Sequence, residues 1–274
     1  MGVTSHTLKA PGATLYYEIY GSGPVLLMIP GGPADAGVFT ALARLLAERY
    51  TCVPCDPRGN SRSLLDGPVQ DLHLDLFGDD AARLLAELGD EPAHVLGSSG
   101  GAQIGLNLAA RYPGRVRTLV AHEPPCVELL PDAEEQRAFG RELDAIYKTH
   151  GAGAAMQKFM ASAGLDAAPP KDAPPPPPEA QEAFGRIMGN VDFFFAHAMK
   201  AIVDYVPDVP ALKESTTRTI IGVGEATKGQ IAHRAATALT ERLGMAPVTF
   251  PGDHGGYSSQ PGAFAERLDS VLKS

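Results

Sequence analysis

Short apolar runs alternate along the chain with longer segments of helical periodicity. The apolar runs predict β-strands at residues 14–21, 25–32, 51–55, 94–96, 117–123, 218–224 and 247–250. Apolar positions that recur every three or four residues predict helices at 37–50, 72–89, 101–112, 229–244 and 261–272. Strands that alternate with helices in this way form right-handed β-α-β units, so the pattern indicates an α/β fold with a mostly parallel, doubly wound sheet.

The alternation stops between residues 124 and 217. Helical patterns there cover 133–150, 152–164 and 180–206. Because this stretch follows one predicted strand and precedes the next, we expect a helical cap inserted into a core made of 1–123 and 218–274. A proline-rich run at 169–178 interrupts it and predicts a stiff, exposed connection within the cap, with a polyproline-type partner ligand as the alternative.

Composition narrows the classes of function. The 274 residues carry a formal net charge of −9, which argues against a nucleic-acid partner because phosphate binding needs a basic surface. No apolar run approaches the ~18 residues of a membrane span, and the first residues lack the layout of a secretion signal. We therefore expect a cytoplasmic protein that acts on a small molecule, without contact to membranes; formation of a homo-oligomer stays open.

The three cysteines do not predict redox or metal chemistry. Cys52 and Cys55 form a C-x-x-C pair, but they lie in a predicted strand, where residues three apart point to opposite faces. A redox pair instead favours the start of a helix, and no second Cys/His pair completes a zinc site. Together with Cys126 they are predicted to be buried structural residues, and neither a metal nor an organic cofactor is expected.

The chemistry is suggested first by Gly97-Ser98-Ser99-Gly100-Gly101. This stretch fits the G-x-S-x-G pattern with Ser99 at its centre, between a predicted strand and a predicted helix. Small residues two positions before and after the nucleophile let the chain bend; centring the motif on Ser98 would put Leu96 at one of those positions. Ser99 is therefore the candidate nucleophile, and the alternative is a simple glycine-rich turn.

A serine hydroxyl needs a base and a site for the developing oxyanion. His254 follows the last predicted strand, among turn residues, and is the candidate base. The amide of Gly100, directly after the nucleophile, is one candidate oxyanion donor. The loop after the second predicted strand, "IPGGPAD", supplies Gly32 as the other, since glycine lets the backbone approach the substrate closely.

These residues resemble those of the α/β-hydrolase fold family, over essentially the whole chain. The likeness is carried by "PGGP" at 30–33, "DPRGNSRS" at 56–63, "GSSGG" at 97–101 and "GDHGG" at 252–256. Many such enzymes have His-Gly where this chain has Pro30-Gly31. The resemblance implies a capped serine hydrolase whose 56–63 loop is scaffolding.

The resemblance also raises the question of which carboxylate orients the histidine. Most of the family carry an Asp after the strand that corresponds to 218–224, but Thr227 occupies that position here. Some members, notably haloalkane dehalogenases, carry the acid at the end of the preceding strand. Glu123 stands there and is the predicted acid, with Glu225 as the alternative.

The expected activity is hydrolysis of carboxylic esters, lactones or thioesters through an acyl-enzyme. A similar loop pattern occurs in proline iminopeptidases, and a perhydrolase, a C–C bond hydrolase or a ligand-binding protein without turnover are further alternatives. The resemblance implies that dehalogenases and epoxide hydrolases, which attack with an Asp, are disfavoured. The apolar stretch 186–208 suggests Met188, Phe194 and Met199 as pocket residues for a moderately hydrophobic substrate.

Overall fold

The predicted α/β architecture is confirmed in the computed structural model, which describes residues 2–163 and 178–274. Within these residues the sheet has nine strands, and its main path runs β1-β2-β4-β3-β6-β7-β8-β9, with β5 paired to β2. The strands are β1 (Val3–Ala10), β2 (Ala13–Tyr20), β3 (Val25–Ile29), β4 (Thr51–Pro54), β5 (Leu64–Leu65), β6 (Ala93–Ser98), β7 (Val116–His122), β8 (Arg218–Gly224) and β9 (Val248–Phe250).

Helices connect these strands and lie on both faces of the sheet. The α-helices are α1 (Thr40–Leu46), α2 (Leu74–Leu88), α3 (Gly100–Arg111), α4 (Ala133–Ala163), α5 (Pro178–Phe193), α6 (Met199–Val203), α7 (Val209–Glu214), α8 (Ile231–Leu243), α9 (Gly256–Ser259) and α10 (Pro261–Lys273). Short 3₁₀ turns at Ala36–Phe39 and Val127–Leu129 precede α1 and α4. The predicted helix 37–50 is therefore shorter than expected, because its first turn is 3₁₀ and α1 ends at Leu46.

The strands from β4 through β3, β6, β7 and β8 to β9 are all parallel to their neighbours. On the other side of β4, β2 pairs antiparallel with β4 and with β1. The sequence pattern did not predict β1, since most of its side chains are exposed and it lacks an apolar run. It is an edge strand, held by its eight-residue ladder to β2 rather than by burial.

Two apolar layers, one on each face, hold helices against the sheet. Successive residues of β3 point to opposite layers: Leu26 and Met28 belong to the layer of α1 and α10, Leu27 and Ile29 to the layer of α2 and α3. This arrangement explains why the central strands appear in the sequence as continuous apolar runs instead of alternating ones.

The segment between β7 and β8, which we term the helical insertion (124–217), contains α4 to α7. Gly151 lies between the two helices predicted at 133–150 and 152–164, and its φ of 83° kinks α4 at that point. The predicted helix 180–206 is α5, a π-helical turn at Phe194–Ala198 and α6. The proline-rich run lies, apart from its last residue, outside the described residues.

The three cysteines are free and buried, which confirms the prediction that they are buried. Burial raises the pKa of each thiol, and the pKa of Cys52 reaches about 12. In the described part of the chain, no helix is both long and apolar enough to cross a membrane.

Candidate active site

Ser99 stands at a sharp bend between β6 and α3. Its backbone has φ 54° and ψ −122°, and it is one of three non-glycine residues with positive φ in the described part of the chain, with Ser61 and Glu123. Such a conformation costs free energy and persists only where the surroundings impose it. The bend exposes part of the Ser99 side chain, whereas Ser98 is fully buried. Ser99 is thus the accessible one of the two serines.

The glycines around Ser99 are required by close backbone packing. A Cβ on Gly97 would lie 2.3 Å from the carbonyl oxygen of Gly101, and one on Gly101 would lie 2.1 Å from that of Ile29. No side chain fits at either position without moving the main chain. The spacing of small residues that singled out Ser99 in the sequence therefore has a steric cause.

The loop after β3 lies directly against this bend. A Cβ on Gly31 would lie 2.6 Å from the Cβ of Ser99 and 2.8 Å from the amide nitrogen of Gly100. Gly32 has φ +56°, and its amide nitrogen lies 3.6 Å from the point that a Cβ on Gly100 would occupy. The two candidate oxyanion donors therefore lie next to each other beside the serine.

A turn fixes the direction of the Gly32 amide. The carbonyl of Gly31 accepts a hydrogen bond from the amide of Ala34 at 3.1 Å. Because the peptide bond is planar and trans, the N–H of Gly32 points away from that carbonyl. The peptide thus turns its donor away from Ala34, and Pro30 in place of the family's usual His leaves this turn intact.

The carboxylate of Glu123 is fully buried at the end of β7. One oxygen accepts hydrogen bonds from the amide of Gly224, at 2.9 Å, and from the hydroxyl of Thr227. The other oxygen lies 2.6 Å from Nδ1 of His254. Burial by itself raises the pKa of Glu123, but the hydrogen bond and charge of His254 and the hydrogen bond from Thr227 outweigh it and hold the pKa at about 2. Glu123 is therefore a stable anion.

His254 lies in the loop after β9, and its side chain is 16% exposed. With Nδ1 directed at the carboxylate of Glu123, this nitrogen carries the proton and Nε2 is left as the acceptor. The amide of Ser99 donates a hydrogen bond of 2.9 Å to the carbonyl of His122, the residue before Glu123. The main chain of Ser99 is thus bonded to the last residue of β7, and Glu123, the next residue, bonds His254.

The structure brings Glu123, not Glu225, to the histidine. Glu225 is exposed to solvent, although its own amide bonds the carbonyl of Phe250. Thr227, in the family's usual acid position, instead hydrogen-bonds the carboxylate of Glu123. This arrangement has a signal in the sequence, because Thr227 replaces the Asp expected there and a glutamate stands at the end of the preceding strand.

His122 is a neighbour of the site that the sequence analysis did not select. Its ring is fully buried, and within the described residues neither nitrogen has a hydrogen-bond partner. Phe250, Tyr257 and Phe264 surround it edge-on, and its centroid lies 6.4 Å from that of His254. Burial lowers the pKa of His122 to about 4, with the charge of His254 contributing, so this imidazole is neutral at ordinary pH.

Replacing His122 by Phe is expected to flatten the pH dependence of the free energy of unfolding. The imidazole has a pKa of about 4 in the folded protein against an ordinary 6.5. Between these values the unfolded chain binds a proton that the folded chain refuses, so stability falls as the pH drops from 6.5 to 4, by roughly 3 kcal/mol in total. Urea titrations near pH 7 and near pH 4.5 measure the difference.

The control for this experiment is His150→Phe, which changes an exposed histidine of α4. It is expected to lose as much stability on acidification as the unaltered protein. If His122→Phe lost as much free energy of unfolding on acidification as the unaltered protein, the lowered pKa of His122 would not be the cause of that loss.

The three predicted pocket residues do not share one environment. Phe194 and Met199 are buried, and Phe194 packs edge-to-face on Phe159 and Phe195 within the helical insertion. Met188 is 46% exposed, one helical turn from the exposed Phe184, so this side of α5 faces solvent. The structure therefore does not group Met188 with the other two.

Ile202, which was not among the predicted pocket residues, has an aliphatic side chain that lies over Gly100. Its Cδ1 lies 2.8 Å from the point that a Cβ on Gly100 would occupy. The buried side-chain amide of Gln103 donates to the carbonyls of Ile202 and Pro125, each at 3.0 Å. α3 thus holds α6 over the candidate oxyanion donors.

Comparisons with known proteins agree with this architecture. The family model of the alpha/beta hydrolase fold matches residues 24–142. An uncharacterized hydrolase, YraK of Bacillus subtilis (strain 168), is 35% identical over 279 residues, which span 100% of this chain and 97% of that protein. A 2-(acetamidomethylene)succinate hydrolase of Mesorhizobium japonicum is 29% identical over 252 residues, which span 88% of this chain and 85% of that protein. A thermophilic esterase from Thermogutta terrifontis superposes with a TM-score of 0.74 at 19% identity, over 100% of this chain and 98% of its own.

Proposed function

We propose that this chain, which belongs to the α/β-hydrolase fold family, hydrolyses carboxylic esters of small to medium, fairly apolar substrates through an acyl-enzyme on Ser99. The observation that carries the proposal is the 2.6 Å hydrogen bond between Glu123 and His254. It lies beside the strained bend at Ser99 and the paired amides of Gly32 and Gly100. A nucleophile, a base, an orienting acid and oxyanion donors at one edge of a sheet are the parts of a serine hydrolase.

In the proposed reaction His254 removes the proton of Ser99 through Nε2 as the hydroxyl oxygen attacks the ester carbonyl. The tetrahedral intermediate collapses when the protonated His254 gives its proton to the leaving alcohol, which leaves an acyl group on Ser99. Water then attacks the acyl-enzyme with His254 again as base, and the acid and free Ser99 are released. Glu123 keeps the histidine in the required tautomer and stabilises its protonated form.

The amides of Gly32 and Gly100 are proposed to bind the oxyanion. Both belong to backbone that is already ordered, so no reorganisation is needed as the negative charge develops. Gly100 is also the first residue of α3, and the positive end of the helix dipole stabilises the same charge.

The preference for uncharged substrates is supported by the charges of the helical insertion. A proline iminopeptidase would need free carboxylates there to hold the amino terminus of a substrate. Glu134 forms ion pairs with Arg137 and Arg141, and Glu179 pairs with Arg44. Both of these carboxylates are exposed and paired, so neither is free to hold an amino terminus, and this supports an ester over a peptide as substrate.

The test of the proposed function is a panel of p-nitrophenyl esters of increasing acyl length, with lactones and proline arylamides alongside. We expect hydrolysis of the short and medium esters and a fall towards the long ones, because Ile202 restricts the space beside Gly100. Hydrolysis of the arylamides without hydrolysis of the esters would contradict the proposal.

Ile202→Ala is expected to shift this preference towards longer or branched acyl groups. Removal of the methyl groups over Gly100 opens room for about one or two more carbons, which changes the ratio of kcat/KM values between long and short esters about tenfold. Val203→Ala is the matched control on α6, because the Val203 side chain faces Gly140 of α4. An unchanged ratio in Ile202→Ala, or the same shift in both variants, would contradict this role.

A further inference from the structure

The loop that carries the Gly32 amide is held by two asparagines from different parts of the chain. Asn60, in the core, donates its side-chain amide to the carbonyls of Gly32 and Ala34, at 3.2 and 2.9 Å. Asn190, in the helical insertion, donates to the carbonyl of Pro33 at 2.8 Å. Three consecutive carbonyls of this loop are thus fixed by side chains, and the middle one is fixed by α5.

Asn190 uses both ends of its side chain in this position. It is 6% exposed, and its nitrogen also bonds the hydroxyl of Ser61 at 2.8 Å, while its oxygen accepts from the amide of Ser61 at 2.7 Å. Ser61 has φ 48°, one of the strained non-glycine conformations of the molecule. A buried amide that makes three hydrogen bonds is a rigid connection between two loops.

Two further contacts dock the same face of α5 on the same loops. Arg186, one turn before Asn190, forms an ion pair with the fully buried Asp35, with Nε and Oδ2 2.5 Å apart. Phe193, about one turn after Asn190, covers Gly59 so closely that a Cβ there would lie 2.1 Å from its ring. The face made by these three side chains therefore holds α5 against both the loop of Gly32 and the loop of Ser61.

The loop needs such external support because of its composition. Gly32, at φ +56°, has no Cβ to restrict rotation about its own backbone. The direction of its N–H is set by the hydrogen bond from the amide of Ala34 to the carbonyl of Gly31. The amide of Ala34 belongs to the same planar peptide as the carbonyl of Pro33 that Asn190 holds. Pro33, the next residue, has no N–H of its own, so its carbonyl is the one main-chain group through which that residue is anchored.

We propose that Asn190 is a positioning residue that couples the docking of α5 to the direction of the Gly32 amide, and so to oxyanion stabilisation. The proposal rests on the proposed function, in which Gly32 is an oxyanion donor. It makes the helical insertion part of the catalytic machinery, acting through the loop, and not only a wall of the substrate site. Asn190 itself does not contact the reacting atoms.

The experiment compares Asn190→Ala with the unaltered protein on a short p-nitrophenyl ester. We expect kcat to fall about tenfold, a part of the 10²- to 10³-fold that loss of a whole oxyanion donor costs, with KM within a factor of two. An alkyl trifluoromethyl ketone, whose adduct with Ser99 places an oxyanion in the same site, is expected to bind about tenfold more weakly. A purely structural contact would not move kcat and ketone affinity together while leaving KM unchanged.

Two variants keep the test decisive. Asp192→Ala, on the same helix, removes a 3.1 Å hydrogen bond to Tyr147 that is remote from the Gly32 loop, and is expected to leave kcat unchanged. If Asn190→Ala does not fold, Asn190→Asp replaces it, since it retains an oxygen for the Ser61 amide but loses the donor to Pro33. It is expected to show the same loss of kcat.

Unchanged kcat and ketone affinity in the Asn190 variants, or a rise in KM alone, would overturn the proposal. Failure of the proposed function is a separate outcome: the unaltered protein would then neither hydrolyse the ester nor bind the ketone.

Discussion

Glu123→Gln is expected to lower kcat for ester hydrolysis by about 10³- to 10⁴-fold while the protein stays folded. The amide has the size of the carboxylate, and its oxygen still accepts from Gly224 and Thr227. Its NH₂ group then faces Nδ1 of His254 where the carboxylate oxygen stood at 2.6 Å. An NH₂ donor selects the tautomer with the lone pair on Nδ1 and the proton on Nε2, and Nε2 then cannot accept the proton of Ser99.

Steady-state kinetics and thermal unfolding of the same preparations measure this effect. Glu225→Gln is the matched control, because it makes the same chemical change on an exposed side chain two residues from Thr227. It is expected to retain the parental kcat. If Glu123→Gln kept the parental rate and Glu225→Gln lost it, the acid would have been assigned to the wrong strand end.

Gly31→Ala is expected to lower kcat by about 10²- to 10³-fold, the cost of one oxyanion donor. The new methyl group would lie 2.6 Å from the carbonyl oxygen of Ser98 and from the Cβ of Ser99, separations that side-chain carbons do not adopt. Because the bend at Ser99 is anchored in the sheet, the loop that contains Gly31 must move away from Ser99. The amide of Gly32 then moves away from Ser99 as well.

The comparison for Gly31→Ala is Gly32→Ala, in which the new methyl group meets no atom within 4 Å. Its φ of +56° makes alanine costly, by about 1–2 kcal/mol of stability, but the amide donor is retained in place. We therefore expect Gly32→Ala to lower the free energy of unfolding and to lower kcat much less than Gly31→Ala does. Equal losses of kcat in the two variants, measured at a temperature where both are folded, would contradict the steric argument.

Much of the sheet could be predicted because burial on both faces produces continuous apolar runs. The parallel strands β3, β4, β6, β7 and β8 carry this signal, and helical periodicity marks the connections. β1 has no such signal, because its stability comes from main-chain pairing at an edge. The π-helical turn at Phe194–Ala198 was also missed, since a continuous apolar helix pattern passes through it.

In the candidate site, too, local properties of the sequence could be predicted and contacts between distant residues could not. Ser99 and His254 could be selected because a motif and a position after a strand are local properties of the sequence. The function of Thr227 as a support for Glu123 depends on residues about a hundred positions apart. Asn190 carries no signal at all, since an asparagine that bonds main-chain carbonyls of a distant loop resembles any polar residue of a helix.

Met188 illustrates the limit of apolar periodicity as evidence for a pocket. Its stretch is rich in Met and Phe, and those residues divide between the core of the insertion and the surface. Ile202, at the end of the same stretch, is the one that lies over Gly100. The position of Ile202 over Gly100 comes from the packing of α6 on α3, which the hydrogen bond from Gln103 to Ile202 supports, and not from hydrophobicity.

Covalent labelling with a fluorophosphonate, read by intact mass and by mapping of the modified peptide, tests the central claim that the residue 99 hydroxyl is activated by the residue 254 imidazole. We expect a single adduct on Ser99 in the native protein and its near-complete loss in His254→Ala, with Ser98 unmodified in both. Absence of labelling in the native protein, or equally fast labelling of Ser99 in His254→Ala, would contradict this activation.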